Sequence, residues 1–250
     1  MNWNFLTIVC CLFLILLSCK LDNTTPIVPV SNNLQLVLQP TFGNEDLLLD
    51  ETYITEEGYG VQFTDIKCYF TSIANGSKLF TDAALFDYRQ KGNVVKQVIG
   101  FPNDFDSLQL HVGVDAQFNH IDPSTFPNDN PLNIAIANDM HWDWNPGYIF
   151  VKIEAKVDTV VNGIDEFNHT VVFHVGGDSY LRNLNFNTVN WQLLSPNFAR
   201  LSWKFDAQKF LKNGSQVIDL KTEYSTHSAA GQEALSLKVM NNFTNAISVY

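Results

Sequence analysis

An all-β domain is predicted: a mostly antiparallel, sandwich-like fold with long irregular loops and a short C-terminal helix. Three features of the sequence predict it. Short runs of alternating apolar and polar residues recur along the chain, with the period of half-buried strands. Turn signals separate them, including Asn75-Gly76 and Asn162-Gly163, the dipeptide favoured by tight hairpins. The composition, 46% hydrophobic and 13% aromatic against 16% charged, is too apolar for disorder and rich in strand-favouring rings.

The chain opens with an apolar run from Phe5 to Leu17, then Ser18-Cys19. A run this short suits a signal-peptide core better than a spanning helix. Leu16-Leu17-Ser18-Cys19 resembles a bacterial lipobox, in which cleavage precedes a cysteine that carries lipid. A plain cleaved signal and an uncleaved anchor are the alternatives. Residues 1–18 are therefore expected to be a lipoprotein signal peptide, residues 19–33 a tether, and residues 34–250 the β domain. Acyl chains on Cys19 would hold that domain at a membrane surface without spanning it. Cleavage there would leave Cys68 as the one free thiol, in an apolar run that suits burial.

Leu34, Leu36 and Leu38 alternate with Gln35, Val37 and Gln39 as a first strand, and Leu47–Tyr53 is a second apolar segment. Val61–Ile73 is the longest alternating run before the middle of the chain, and it leads into the Asn75-Gly76 turn. Val94–Phe101 and Phe105–Asp115 are further strand candidates. Residues 116–138 carry Pro123, Pro127, Pro131 and many Asn and Asp, a loop too long to be a mere connector. It delivers the chain to Met140–Glu154, where Trp142 and Trp144 precede a strand that starts near Tyr148. Two tryptophans there imply a core anchor or the wall of a site. Val157–Val161 and Phe167–Val175 flank Asn162-Gly163 as a hairpin, Leu201–Phe205 is another strand, and Ala229–Val239 has helical spacing.

Net charge is −11, which argues against nucleic acid and against docking on anionic lipid through basic patches. There is no Gly-rich phosphate loop, no His-Glu-x-x-His and no Gly-x-Ser-x-Gly elbow, so the expectation is a protein that is not an enzyme. The absence of Cys-x-x-Cys-His argues against a covalent haem of its own. The reactive inventory is six histidines: His111, His120, His141, His169, His174 and His227. Neutral imidazole is a common ligand for copper and zinc, but spacing alone leaves each of these open between ligand and ordinary hydrogen-bonded residue. His169 and His174 stand at odd spacing on one run, so they face opposite sides.

A longer pattern narrows this. Gly113-Val114-Asp115 is followed by Asn119-His120, Pro131-Leu132-Asn133, and then Met140-x-Trp142-x-Trp144-x-x-Gly147-Tyr148-x-Phe150-x-Lys152, with Phe173-His174-Val175-Gly176 further on. The pattern resembles the MbnP-like copper-binding family, relatives of the surface copper protein MopE, over nearly all of the chain after the tether. The resemblance implies a secreted or surface-attached β domain that binds a copper ion through two histidines. On this sequence they carry over as His120 and His174, with His141 or His227 as a third. In studied relatives a tryptophan oxidised to kynurenine is also a ligand, and a dihaem peroxidase-like partner of the MbnH type is associated with that oxidation. Here Phe118 lies two residues before His120 and Asp139 two before His141, so no tryptophan occupies the position that is modified. Trp142 and Trp144 stand as candidates for modification, for a site wall, or for packing.

The function these expectations add up to is a lipid-anchored, extracytoplasmic copper-binding protein of a Gram-negative bacterium, on the outer membrane or a periplasm-facing membrane. Its role would be capture, storage or transfer of the metal. The alternative is a non-metal surface module that grips a glycan or a partner protein.

Overall fold

The first strand, Asn32–Phe42, buries Leu34, Leu36 and Leu38 on one face, as their period-2 spacing dictates. It pairs in parallel with Phe198–Asp206 and antiparallel with Val94–Gly100. The computed structural model describes residues 32–137, 139–142, 147–167 and 169–250. The leader, Cys19, most of the tether and Trp144 lie outside the described residues. Among the described residues the main strands form a six-stranded sheet and an eight-stranded sheet.

The eight-stranded sheet is built on Gly60–Asn75, the alternating run expected to be the longest strand. It forms a hairpin with Lys78–Asp87 and pairs antiparallel with Leu108–Val112 and with Val151–Asp158. Beyond these, Arg182–Phe186 joins Leu108–Val112, and His169–Val175 joins Val151–Asp158. The pairing is thus mostly antiparallel. Among the described residues the two exceptions are the first strand on Phe198–Asp206 and the short Ser225–Thr226 on His169–Val175.

The two sheets meet through aromatic side chains. Trp203 of the smaller sheet is fully buried, with ring centroids 5.6 Å from Phe70 and 5.0 Å from Phe186 of the larger one. Losing a ring of that size from a core costs about 3–5 kcal/mol. Phe205, Phe210, Phe243 and Phe173 continue the core towards the C-terminal helix.

That helix spans Glu233–Asn245, later than the Ala229–Val239 that spacing predicts. Ser228 and Gly231 take positive φ, 55° and 86°, a turn that helical residues cannot make. Gln232 Oε1 accepts hydrogen bonds from the His227 and Ala229 amides, closing that turn. At the other end, buried Asn242 stays helical because its amide donates to the Phe210 and Gln216 carbonyls at 3.0 Å.

The long loop is packed against the larger sheet. Tyr69 and Tyr148 donate through their hydroxyls to the Pro131 and Leu132 carbonyls at 3.0 and 2.6 Å. Tyr148 N donates to Asn119 Oδ1 at 2.9 Å. The strand expected to begin near Tyr148 begins at Val151 instead, and Tyr148 forms an isolated bridge with His141.

Candidate metal centre

One face of the larger sheet carries charge where the opposite face is apolar. Asp87, Lys67, Lys152 and His174 stand opposite one another on four successive strands. The parallel pairing of Thr226 with Phe173 then brings His227 beside His174. Lys67 and Lys152 are almost wholly buried, which a cation tolerates only when paired. Lys67 Nζ lies 3.5 Å from Asp65 and 3.4 Å from Asp87, and it donates to Asp139. Lys152 Nζ lies 3.3 Å from Asp65, 3.2 Å from Asp139 and 3.3 Å from Glu154. Asp139, from the long loop, therefore rests on both lysines and fixes the residue just before Met140-His141-Trp142.

Burial works against each charge in this network, and the partners outweigh it. For Lys67, the Asp139 hydrogen bond and the Asp65 and Asp87 charges win, so its ammonium holds its proton more tightly than usual. Lys152 is raised in the same way by Glu154, Asp65 and Asp139. Asp139 is lowered by its bond from Lys67 and by the charge of Lys152.

The row ends at a pair of imidazoles. His174 Nε2 donates to Glu154 Oε1 at 2.8 Å, and the His174 and His227 rings meet edge to face with centroids 5.0 Å apart. The hydrogen bond from His174, with help from Lys152, lowers the Glu154 carboxyl to about 2. Burial, followed by the charge of His174, lowers the His227 pKa and favours its neutral form. With Nε2–H engaged by the carboxylate, the neutral form of His174 would present its lone pair on Nδ1. A metal-binding histidine is characteristically oriented this way, with its other nitrogen donating to a carboxylate.

The other histidines singled out in the sequence lie elsewhere. His120 is exposed, and its Nε2 pairs with Asp178 at 2.9 Å while Asn119 donates to the same carboxylate at 2.8 Å. No hydrogen bond, ion pair or ring contact joins it to His174. His141 packs its ring edge-on against Tyr148 at 5.1 Å. Trp142 is buried against the Gly176 backbone, two residues beyond His174: a Cβ on Gly176 would fall 2.9 Å from the indole and 2.1 Å from the Tyr148 carbonyl. The tryptophan is a core anchor that requires glycine opposite it. Trp144 and Cys19 lie outside the described residues. Cys68 is fully buried, and burial pushes its thiol pKa up, so it stays protonated and inert.

Among the described residues no group of three or more histidine, cysteine, aspartate or glutamate side chains is disposed to hold a metal ion. What the sheet does bring together is a pair of imidazoles, His174 with His227, backed by Glu154. Sequence reasoning carried His174 forward, named His227 only as an additional ligand, and did not see Glu154 or the lysine row. The signal was present in Asp65-x-Lys67 and Lys152-x-Glu154, charged pairs at strand period inside runs that otherwise look like core.

A family model for MbnP matches residues 31–229 of the chain. Among solved structures, MbnP from Methylosinus trichosporium is similar at 14% sequence identity with a TM-score of 0.49, covering 88% of this chain and 98% of that one. No curated protein matches the chain.

Proposed function

Because the chain belongs to the MbnP family, we propose that it is an extracytoplasmic copper-binding protein that captures, stores or hands on the ion rather than turning over a substrate. The family is linked to metal binding in general; the choice of copper and the residues assigned to it are our inference. The observation that carries the reading is the contact between His174 and His227, with Glu154 holding the first of them. Neutral imidazoles are borderline ligands that suit copper and zinc alike, so geometry and supply decide between the two.

In this reading His174 offers Nδ1, and His227 offers a ring kept neutral by its surroundings. The buried row of lysines and carboxylates fixes the strand positions of His174 and Glu154 before any ion arrives. Two protein ligands leave coordination positions open, which suits release to a partner better than permanent retention. Lipid on Cys19 would keep the domain at the membrane surface; among the described residues no helix is long and apolar enough to cross a membrane. Burial of Trp142 supports a packing role for it, so copper binding here is proposed to proceed without a modified tryptophan and without the dihaem partner that such a modification needs.

The test is copper titration of tag-free protein, wild type against the His174→Ala/His227→Ala double variant. We expect the double variant to lose at least about tenfold in affinity, as perturbation of a metal shell does, while His120→Ala keeps wild-type binding. Copper affinity that is absent in the wild type, or unchanged in the double variant, would overturn the proposal.

A further inference from the structure

A second histidine–carboxylate arrangement lies where the metal reading has no use for it. Leu108–Val112 and Arg182–Phe186 stand at one end of the strand order of the larger sheet, and His169–Val175 near the other. Beside them, buried Asp115 accepts hydrogen bonds from three side chains. Thr71 Oγ1 reaches Oδ1 at 2.8 Å and is shared with the Gly113 carbonyl at 3.1 Å, Ser72 Oγ reaches Oδ2, and His111 Nδ1 reaches Oδ1.

Thr71 and Ser72 are neighbours in a strand, and in regular geometry their side chains would point to opposite faces. Both reach one carboxylate because the strand is bulged there. The register shifts between Thr71 and Ala74, and Ser72 adopts φ 50°, a left-handed conformation that a serine keeps only when its surroundings impose it. A plain solvated sheet face would need neither the bulge nor a buried carboxylate with three donors.

The consequence is an imidazole fixed in one orientation. In the neutral ring, with Nδ1–H donated to Asp115, Nε2 carries the lone pair, and it has no partner among the described residues. The His111 side chain is 34% exposed and lines a pocket of about 430 Å³ with Ser72, Gln109, Asn183 and Asn185. His111 stands opposite Asn183, and Gln109 opposite Asn185, so the four side chains form a two-by-two array on one face.

No lysine, arginine or carboxylate lines this pocket. Asp115 is committed to its three donors, so a cation finds no free carboxylate. An anion would face that carboxylate behind the imidazole. Each amide presents a donor and an acceptor side by side, which matches adjacent hydroxyl groups, themselves both donor and acceptor. We propose that the pocket binds a neutral polyhydroxylated ligand, a saccharide, with one hydroxyl donating to His111 Nε2 and neighbouring hydroxyls held by Gln109, Asn183 and Asn185.

The site is independent of the copper reading, and its test keeps the two apart. The full-length protein is titrated with glucose, galactose, mannose, N-acetylglucosamine, maltose and cellobiose into the millimolar range, by calorimetry and by NMR of the His111 ring. At least one of these sugars should bind and shift the ring resonances. Asn183→Ala with Asn185→Ala, both exposed, should weaken it by about tenfold, the effect of losing one or two hydrogen bonds. His111→Ala should do the same, and His174→Ala/His227→Ala should leave sugar binding intact. The proposal is overturned if none of the six sugars binds, or if binding survives loss of both asparagines with the unfolding midpoint unchanged. It is equally overturned if copper or zinc shifts the His111 ring while no sugar does, since that would make the residue a metal ligand.

Discussion

His174–Glu154 and His120–Asp178 are the same chemical pair, an imidazole nitrogen against a carboxylate at 2.8 and 2.9 Å, in two very different settings. His120 follows a four-residue helix in the long loop, and its side chain is 60% exposed. His174 sits within a strand of the larger sheet, 17% exposed, with a second histidine against its ring and a buried lysine beside its carboxylate. An exposed pair of this kind contributes about 0–1 kcal/mol and must be reformed against solvent each time it breaks. A pair fixed by sheet register is already oriented. The difference teaches that the same imidazole–carboxylate pair is a solvent-facing contact on the loop and a pre-oriented one in the sheet.

The largest effect that would test this contrast lies beneath the site rather than in it. Lys67→Met should leave Asp87 without its cation, and Asp65 and Asp139 with Lys152 alone between them. Breaking a buried ionic network by removing one partner costs about 3–5 kcal/mol, which urea unfolding would read as a lowered midpoint. A loss under about 1 kcal/mol would mean that the row behaves like an exposed pair, and the contrast would fail.

Next in size is Glu154→Gln, which keeps the shape of the side chain and removes its charge. Copper affinity should fall about 10–100-fold, as outer-shell substitutions do, whereas Asp178→Asn should leave it unchanged. The same residue has a signature in pH. The folded Glu154 carboxyl lies at about 2, below its ordinary 4.5, so the unfolded chain binds the proton first. The stability it contributes is therefore fully present above about pH 4.5 and is lost as pH falls towards about 2. Unfolding midpoints of wild type and Glu154→Gln should converge across that window; parallel curves would remove Glu154 from the account.

The smallest effect is expected at the loop pair. His120→Ala should change stability by no more than about 1 kcal/mol and leave the copper isotherm in place. A tenfold loss of copper there would shift the centre of the site to the loop and restore the pairing that the sequence pattern suggested.

Much of the architecture was legible in the residues. Leu34, Leu36 and Leu38, and the run from Val61 to Ile73, have the period of strands. The Asn75-Gly76 turn gave the Gly60–Asn75 and Lys78–Asp87 hairpin its position. The site was legible only in part. His174 could be picked out by its place before Val175-Gly176-Gly177, but its partner His227 lies 53 positions later in a segment without strong period. Glu154 and Lys152 carry no local sign of their partners, because nothing in the sequence around them says that the loop carrying Asp139 will fold over them. The helix start was misplaced for the same reason. Helical spacing at Ala229–Val239 is real, but the side chain of Gln232 ties the preceding residues into a turn that spacing cannot register.

By itself, then, the sequence determined which stretches become strands, where they turn, which faces enter the core, and the family to which the pattern belongs. Those are local properties, set by side-chain alternation and by glycine's access to positive φ. Tertiary structure alone decided which histidines meet. That depends on register between strands far apart in the chain, on one parallel pairing of two residues, and on buried lysines whose charge is tolerable only after four carboxylates from separate strands and a loop have closed around them.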